Sequence, residues 1–103
     1  MAQTGDPLSR ELSADDSRLG TGGPGYTIPC ETVGNRRRHT FGALSMAHDG
    51  KNTGGSRFFF VLDEDERHEW NDVHTVFGIT TEGQDALRAI QPSDAVLKVR
   101  VWE

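Results

Sequence analysis

Cysteine is nearly absent. Cys30 stands alone, so no internal disulfide can staple the chain, and a reducing, cytoplasmic compartment is the expectation. By itself Cys30 reads as a small, half-buried apolar residue. Long apolar runs are also missing. The longest, Phe58-Phe59-Phe60-Val61-Leu62, falls far short of the roughly 20 residues that span a bilayer, so no membrane partner is expected. The opening Met1-Ala2-Gln3-Thr4-Gly5-Asp6-Pro7 has neither the basic nor the apolar region of a secretory leader, and none is expected. Positive charge is in deficit: 11 Lys+Arg face 16 Asp+Glu, a net charge of -5, which argues against nucleic acid as a partner. The 103 residues leave room for one small domain. A chain of that size can bury about two thirds of its extended surface around one core, which excludes multidomain and fibrous readings.

Turn-forming residues are plentiful. Residues 4–25 are rich in Gly, Pro, Asp and Ser without an apolar period, the mark of a long solvated connection. Tyr26-Thr27-Ile28-Pro29 reads as a short extended piece ended by proline, and residues 35–40 as a polar turn carrying Arg36, Arg37 and Arg38. Residues 41–47 and 58–62 are apolar stretches of strand length joined by a glycine-rich connection, which predicts a hairpin-like unit. A charged loop over residues 63–72 then precedes a strand over residues 74–79. Thr81 followed by Gln84 forms a capping-box pattern, and Ala86, Leu87, Ala89 and Ile90 share one helical stripe before Pro92, predicting a helix over about residues 82–90. Leu97, Val99 and Val101 alternate with Lys98, Arg100 and Trp102, the period of a half-buried strand. The fold class is therefore mainly β with one helix.

Several motifs fail on context. Gly20-Thr21-Gly22-Gly23-Pro24-Gly25 satisfies G-x-G-x-x-G, but it neither follows a strand nor opens a helix, as a dinucleotide site requires. Gly50-Lys51-Asn52 lacks the rest of a phosphate-binding loop. His68 and His74 are six residues apart rather than the four that place two imidazoles on one helix face, so no metal is expected. No G-x-S-x-G supports acyl transfer. Phe58, Phe59, Phe60, Met46 and Phe77 would be core residues in almost any β fold.

Taken in order, four blocks carry more information than any one of them. Gly20-Thr21-Gly22-Gly23-Pro24-Gly25-Tyr26, Gly42-Ala43-Leu44-Ser45-Met46-Ala47, Asn52-Thr53-Gly54-Gly55-Ser56 with Phe58-Phe59, and His74-Thr75-Val76-Phe77-Gly78 resemble the successive signatures of cyclophilins, the peptidyl-prolyl cis-trans isomerases. The opening is similar to that family's M-x-Q-G-G-D. The resemblance implies a cyclophilin-like antiparallel β-barrel over residues 1–103, incomplete here, with a proline-binding groove on its outer face. It implies that Met1 and Gln3 line the groove with Gly20 at its floor, and that Ala47, His48 and Asp49 pair with the substrate backbone. Phe59 would be a wall of the proline pocket and His74 a residue of its rim. Trp70 matches either a pocket-wall leucine or, with a one-residue deletion, the neighbouring aromatic position. The implied partners are proline-containing peptides or unfolded chains and cyclosporin-like ligands, with no cofactor.

The pattern is not matched throughout. The family's F-H-R segment, which carries the arginine credited with stabilising the twisted imide nitrogen, precedes M-x-Q-G-G-D, and the expectation is a form shortened at its N-terminus. Arg57 stands where the family usually has Gln, and Asp49 where it has a small residue; Thr4 replaces the first Gly of the Gly-Gly-Asp run. Arg57, near the groove, is the remaining candidate donor to the imide nitrogen. An isomerase, a proline-peptide binding module without turnover and a non-functional fragment are the classes left open.

Overall fold

The computed structural model describes residues 1–13 and 15–102. Four short strands form its centre: β1 (Ala2–Thr4), β2 (Ala43–Met46), β3 (Phe58–Phe60) and β4 (Val76–Ile79). They make one antiparallel sheet in the order β1-β3-β2-β4. The sheet is open, with β1 and β4 as its edges among the described residues, so the barrel implied by the resemblance is present only in part. The hairpin-like unit is β2 paired with β3, bringing Leu44 opposite Phe60 and Met46 opposite Phe58. β1 was not expected from sequence; its three residues carry no apolar period, and pairing with β3 sets its register.

Register divides the side chains between two faces. Gln3, Phe59 and Ser45 lie in one row across three strands, with Val76 opposite Ser45 on the fourth. Neighbouring rows, Ala2-Phe60-Leu44 and Thr4-Phe58-Met46, point the other way because successive residues of a strand alternate. The core belongs to the first face: Ala43, Ala47, Phe59, Val61 and Val76 form one buried cluster with Trp70 packed against it. On the second face Leu44, Met46, Phe58 and Phe60 are half-buried, and Phe77, at the irregularity between β2 and β4, is 49% exposed.

Local chemistry explains the connections. Asp6 caps a 3₁₀ turn, Pro7–Arg10, accepting the Leu8 N–H at 2.9 Å, with Pro7 supplying a pre-set φ at the first position. Gly5 has φ 89°, and a Cβ there would fall on the Ser56 carbonyl; this is the place in the Gly-Gly-Asp run where glycine is needed, and the preceding Thr4 is tolerated. A second 3₁₀ turn, His68–Trp70, interrupts the loop expected over residues 63–72 and turns Trp70 inward. Tyr26 to Pro29 contributes a single bridge, Ile28 to Gly54.

Two expectations need correction. The helix is α1 (Gln84–Arg88), shorter than predicted; Gly83, with φ 83°, is its N-cap, no side chain caps it, and only Leu87 of the expected stripe is buried. A left-handed residue between Thr81 and the first helical turn prevents the capping box from closing. Residues 95–101 form no strand, and Leu97, Val99 and Val101 are 93%, 72% and 83% exposed. An alternating segment becomes a strand only on a sheet edge, and no described strand pairs with this one. The radius of gyration, 13.8 Å, is slightly above the about 13 Å usual for this length, as an unpacked segment would give. No helix among the described residues is long and apolar enough to cross a membrane.

Candidate functional site

Four rings meet on the first face. Phe59, 2% exposed, lies edge-on to Trp70 at 5.3 Å and to His74 at 5.6 Å, and stacks with His39 at 6.0 Å between centroids. β3 delivers Phe59, the second 3₁₀ turn delivers Trp70, and His74 follows one turn later, its N–H bonded to the Trp70 carbonyl at 3.0 Å. The Arg67 guanidinium covers the outer face of Trp70 at 4.3 Å and is itself held by Asp63 and Glu69. His48, the residue after the buried Ala47, stacks on His74 at 4.2 Å.

Hydrogen bonds fix the tautomers of these imidazoles. Asn71 donates its amide to Glu66 at 2.8 Å, so its oxygen accepts from His39 Nδ1–H at 2.9 Å, and His39 Nε2 accepts from the Ser45 hydroxyl at 2.8 Å. His74 Nδ1–H donates to the Met46 carbonyl at 2.9 Å, and His48 Nε2–H to the Val73 carbonyl at 2.8 Å. Burial pushes the His39 pKa down against the opposing pull of the Asn71 bond and the Glu66 and Glu69 charges. Burial also lowers His74; the Met46 bond opposes this, while the charges of His48 and His39 add to it. Both rings therefore favour the neutral form more than a free imidazole does.

Beside the rings runs a polar strip. Gln3 is exposed on β1, opposite Phe59. A Cβ on Gly20 would lie 4.0 Å from the Gln3 amide nitrogen, and the Gly20 carbonyl accepts from the Arg57 guanidinium. The other end of that guanidinium donates to Asp49 Oδ2 at 2.8 Å. Ala47 N–H bonds the Arg57 carbonyl at 3.1 Å, and Met1, 57% exposed, flanks the strip at the chain start. The residues expected in a groove thus fall into a ring cluster (His48, Phe59, Trp70, His74) and an adjoining strip (Met1, Gln3, Gly20, Ala47, Asp49, Arg57).

Sequence reasoning missed two supporting groups. His39 sits at the end of a turn read as solvated, yet it is fully buried; no local spacing signals this, because its partners are Asn71, 32 residues on, and a Ser45 hydroxyl that only the folding of β2 brings to it. Asp6 is the second. Burial would raise its pKa, but N–H groups of Leu8, Gly20 and Gly22 and the Arg57 charge outweigh that and hold it below the ordinary value. The glycine-rich turn that mimics a phosphate site therefore cradles this chain's own carboxylate. His68, part of the discarded metal pattern, bonds Glu66 at the surface.

The fold and site define a half-open antiparallel sheet bearing an aromatic cluster beside a polar strip. The family model described as Cyclophilin type peptidyl-prolyl cis-trans isomerase/CLD matches residues 1–101, and the chain belongs to this family. It is 56% identical over 82 residues to peptidyl-prolyl cis-trans isomerase B of Bacillus subtilis, covering 80% of this chain and 56% of the relative. It is 46% identical over 84 residues to a peptidyl-prolyl cis-trans isomerase of Synechococcus elongatus, covering 80% and 55%. A peptidyl-prolyl cis-trans isomerase of Helicobacter pylori is 45% identical over 82 residues, covering 78% and 49%. The chain spans about half the length of these curated relatives.

Proposed function

We propose that this chain binds Xaa-Pro segments of peptides and unfolded proteins and accelerates their cis-trans isomerisation. The observation that carries the reading is the Phe59-Trp70-His74 cluster on the same sheet face as the exposed amide of Gln3, in a chain of the cyclophilin family. An Xaa-Pro bond crosses a barrier of about 18–20 kcal/mol because twisting it destroys amide resonance. Neither a nucleophile nor a metal is required, only better binding of the twisted state than of either planar one. Apolar ring edges suit the pyrrolidine ring. Gln3, and the guanidinium hydrogens that Arg57 does not spend on Gly20 and Asp49, are donors for the carbonyl and for the imide nitrogen, which gains basicity on twisting. The tautomer of His74 leaves Nε2 as an acceptor beside the rings. Cyclosporin-like ligands are expected to compete for the same apolar patch.

Exchange spectroscopy by NMR on an Ala-Pro peptide with catalytic amounts of the chain tests the reading. Cis-trans exchange at least about tenfold faster than for peptide alone is expected, equivalent to about 1.4 kcal/mol off the barrier. Arg57→Ala is expected to slow it, and an unchanged rate would remove Arg57 from the donor role. Peptide line broadening without faster exchange would overturn the turnover and leave a binding module, and the absence of both effects would refute the whole proposal.

A further inference from the structure

Asp49 and Arg57 are the two strip residues that depart most from the family pattern, and the fold joins them. Arg57 has a side chain only 11% exposed and is anchored at both ends, to the Gly20 carbonyl and to Asp49. Asp49 is its opposite: the side chain is 75% exposed, and of its two carboxylate oxygens the guanidinium takes Oδ2. Its backbone is fixed by the turn after β2, where the Asp49 N–H donates to the Thr53 hydroxyl at 3.0 Å and that hydroxyl donates to the Gly50 carbonyl at 2.7 Å. The result is an oriented carboxylate facing solvent, with the neighbouring positive charge already committed.

Resting on the isomerase reading, we propose that Asp49 is a specificity-determining residue that selects substrates with a Lys or Arg about two residues from the proline. Arg57 immediately precedes β3, where its carbonyl continues the pairing with β2 by accepting the Ala47 N–H, and it lies two positions from Phe59, a separation of about 7 Å in extended backbone, which is two residues of an extended peptide. A peptide whose proline rests on the Phe59 cluster therefore lays its second neighbour over Arg57 and Asp49. An acidic side chain there meets the Asp49 carboxylate first and has to displace it to reach Arg57; a basic side chain finds a ready partner. The chain's net charge of -5 draws basic peptides in the same direction.

The test uses three peptides Xaa-Ala-Pro-Ala-Xaa, with Lys, Gln or Glu at both ends, titrated into the whole chain by NMR at low salt. Affinity is expected to fall in the order Lys, Gln, Glu, about threefold at each step, the size of a partly exposed ion pair. The ordering should compress in 0.5 M salt, and Asp49→Asn should bring the Lys-to-Gln ratio close to one. Equal affinities for the three peptides, or a Lys preference that survives Asp49→Asn, would overturn the inference while leaving the isomerase reading intact. Failure of the neutral Gln peptide to bind would instead overturn that reading and the selectivity with it.

Discussion

The two faces of the sheet are built from the same short strands, yet they differ in almost every physical respect. One face buries Ala43, Ala47, Phe59, Val61 and Val76 under Trp70 and three imidazoles, with every polar atom of His39 partnered. The other presents Leu44, Met46, Phe58 and Phe60 half-covered, with Phe58 in a row with Thr4 and Met46 and edge-on to Phe60 at 6.1 Å and Phe77 at 6.3 Å. Hydrophobicity does not separate them, since the second face is the more apolar. Supply of covering groups does. Loops carrying His39, Trp70 and His74 fold over the first face, whereas beside the second the Ile28–Glu31 segment lines an open cleft with Met46 and Phe77 and leaves the apolar side chains half-exposed.

The largest expected effect tests that contrast directly. Phe59→Ala removes the centre of the cluster and should cost about 3–5 kcal/mol in denaturant unfolding, whereas Phe58→Ala, one residue away on the open face, should cost about half as much. Equal costs would break the comparison. Next comes Asp6→Ala, which leaves the N–H groups of Leu8, Gly20 and Gly22 without their acceptor and should cost about 2–3 kcal/mol. Loss of the Gly20 anchor should also weaken peptide binding, measurable in the same titrations.

Acid should act through the covered face. The pKa values of His39 and His74 lie below the ordinary 6.5 in the folded state, so the unfolded chain takes up these protons more readily. Stability is therefore full above about pH 6.5 and falls as pH drops below it. Asp6, lowered from 3.8, contributes stability that is lost as pH falls below that value. Denaturant midpoints measured from pH 8 to pH 3 should show both declines, and a flat profile between pH 6.5 and 5 would contradict the burial of the imidazoles. The smallest effect belongs to residues 95–101: Leu97→Ser or Val99→Ser should change stability by less than about 0.5 kcal/mol, since both side chains are exposed.

The sequence revealed what rests on local pattern. Residues 41–47, 58–62 and 74–79 announced three of the four strands, and the ordered motifs named residues that the fold gathers into the ring cluster and the strip. What stayed hidden depends on distant partners. β1 exists through pairing with β3, and His39 is buried through Asn71 and Ser45. The alternation over 97–101 is genuine strand chemistry, but no described strand of the sheet pairs with it, so it forms no strand. The helix starts late because Gly83, in a left-handed conformation, overrides a capping pattern that reads well on paper.

Mapping an Ala-Pro peptide onto the chain by two-dimensional NMR tests the central claim most directly, because the two faces carry separate reporters. Shifts are expected at Gln3, the Trp70 indole and the His74 imidazole, with Phe58, Phe60 and Phe77 unmoved. Shifts centred on those three phenylalanines would place recognition on the open face and contradict the account.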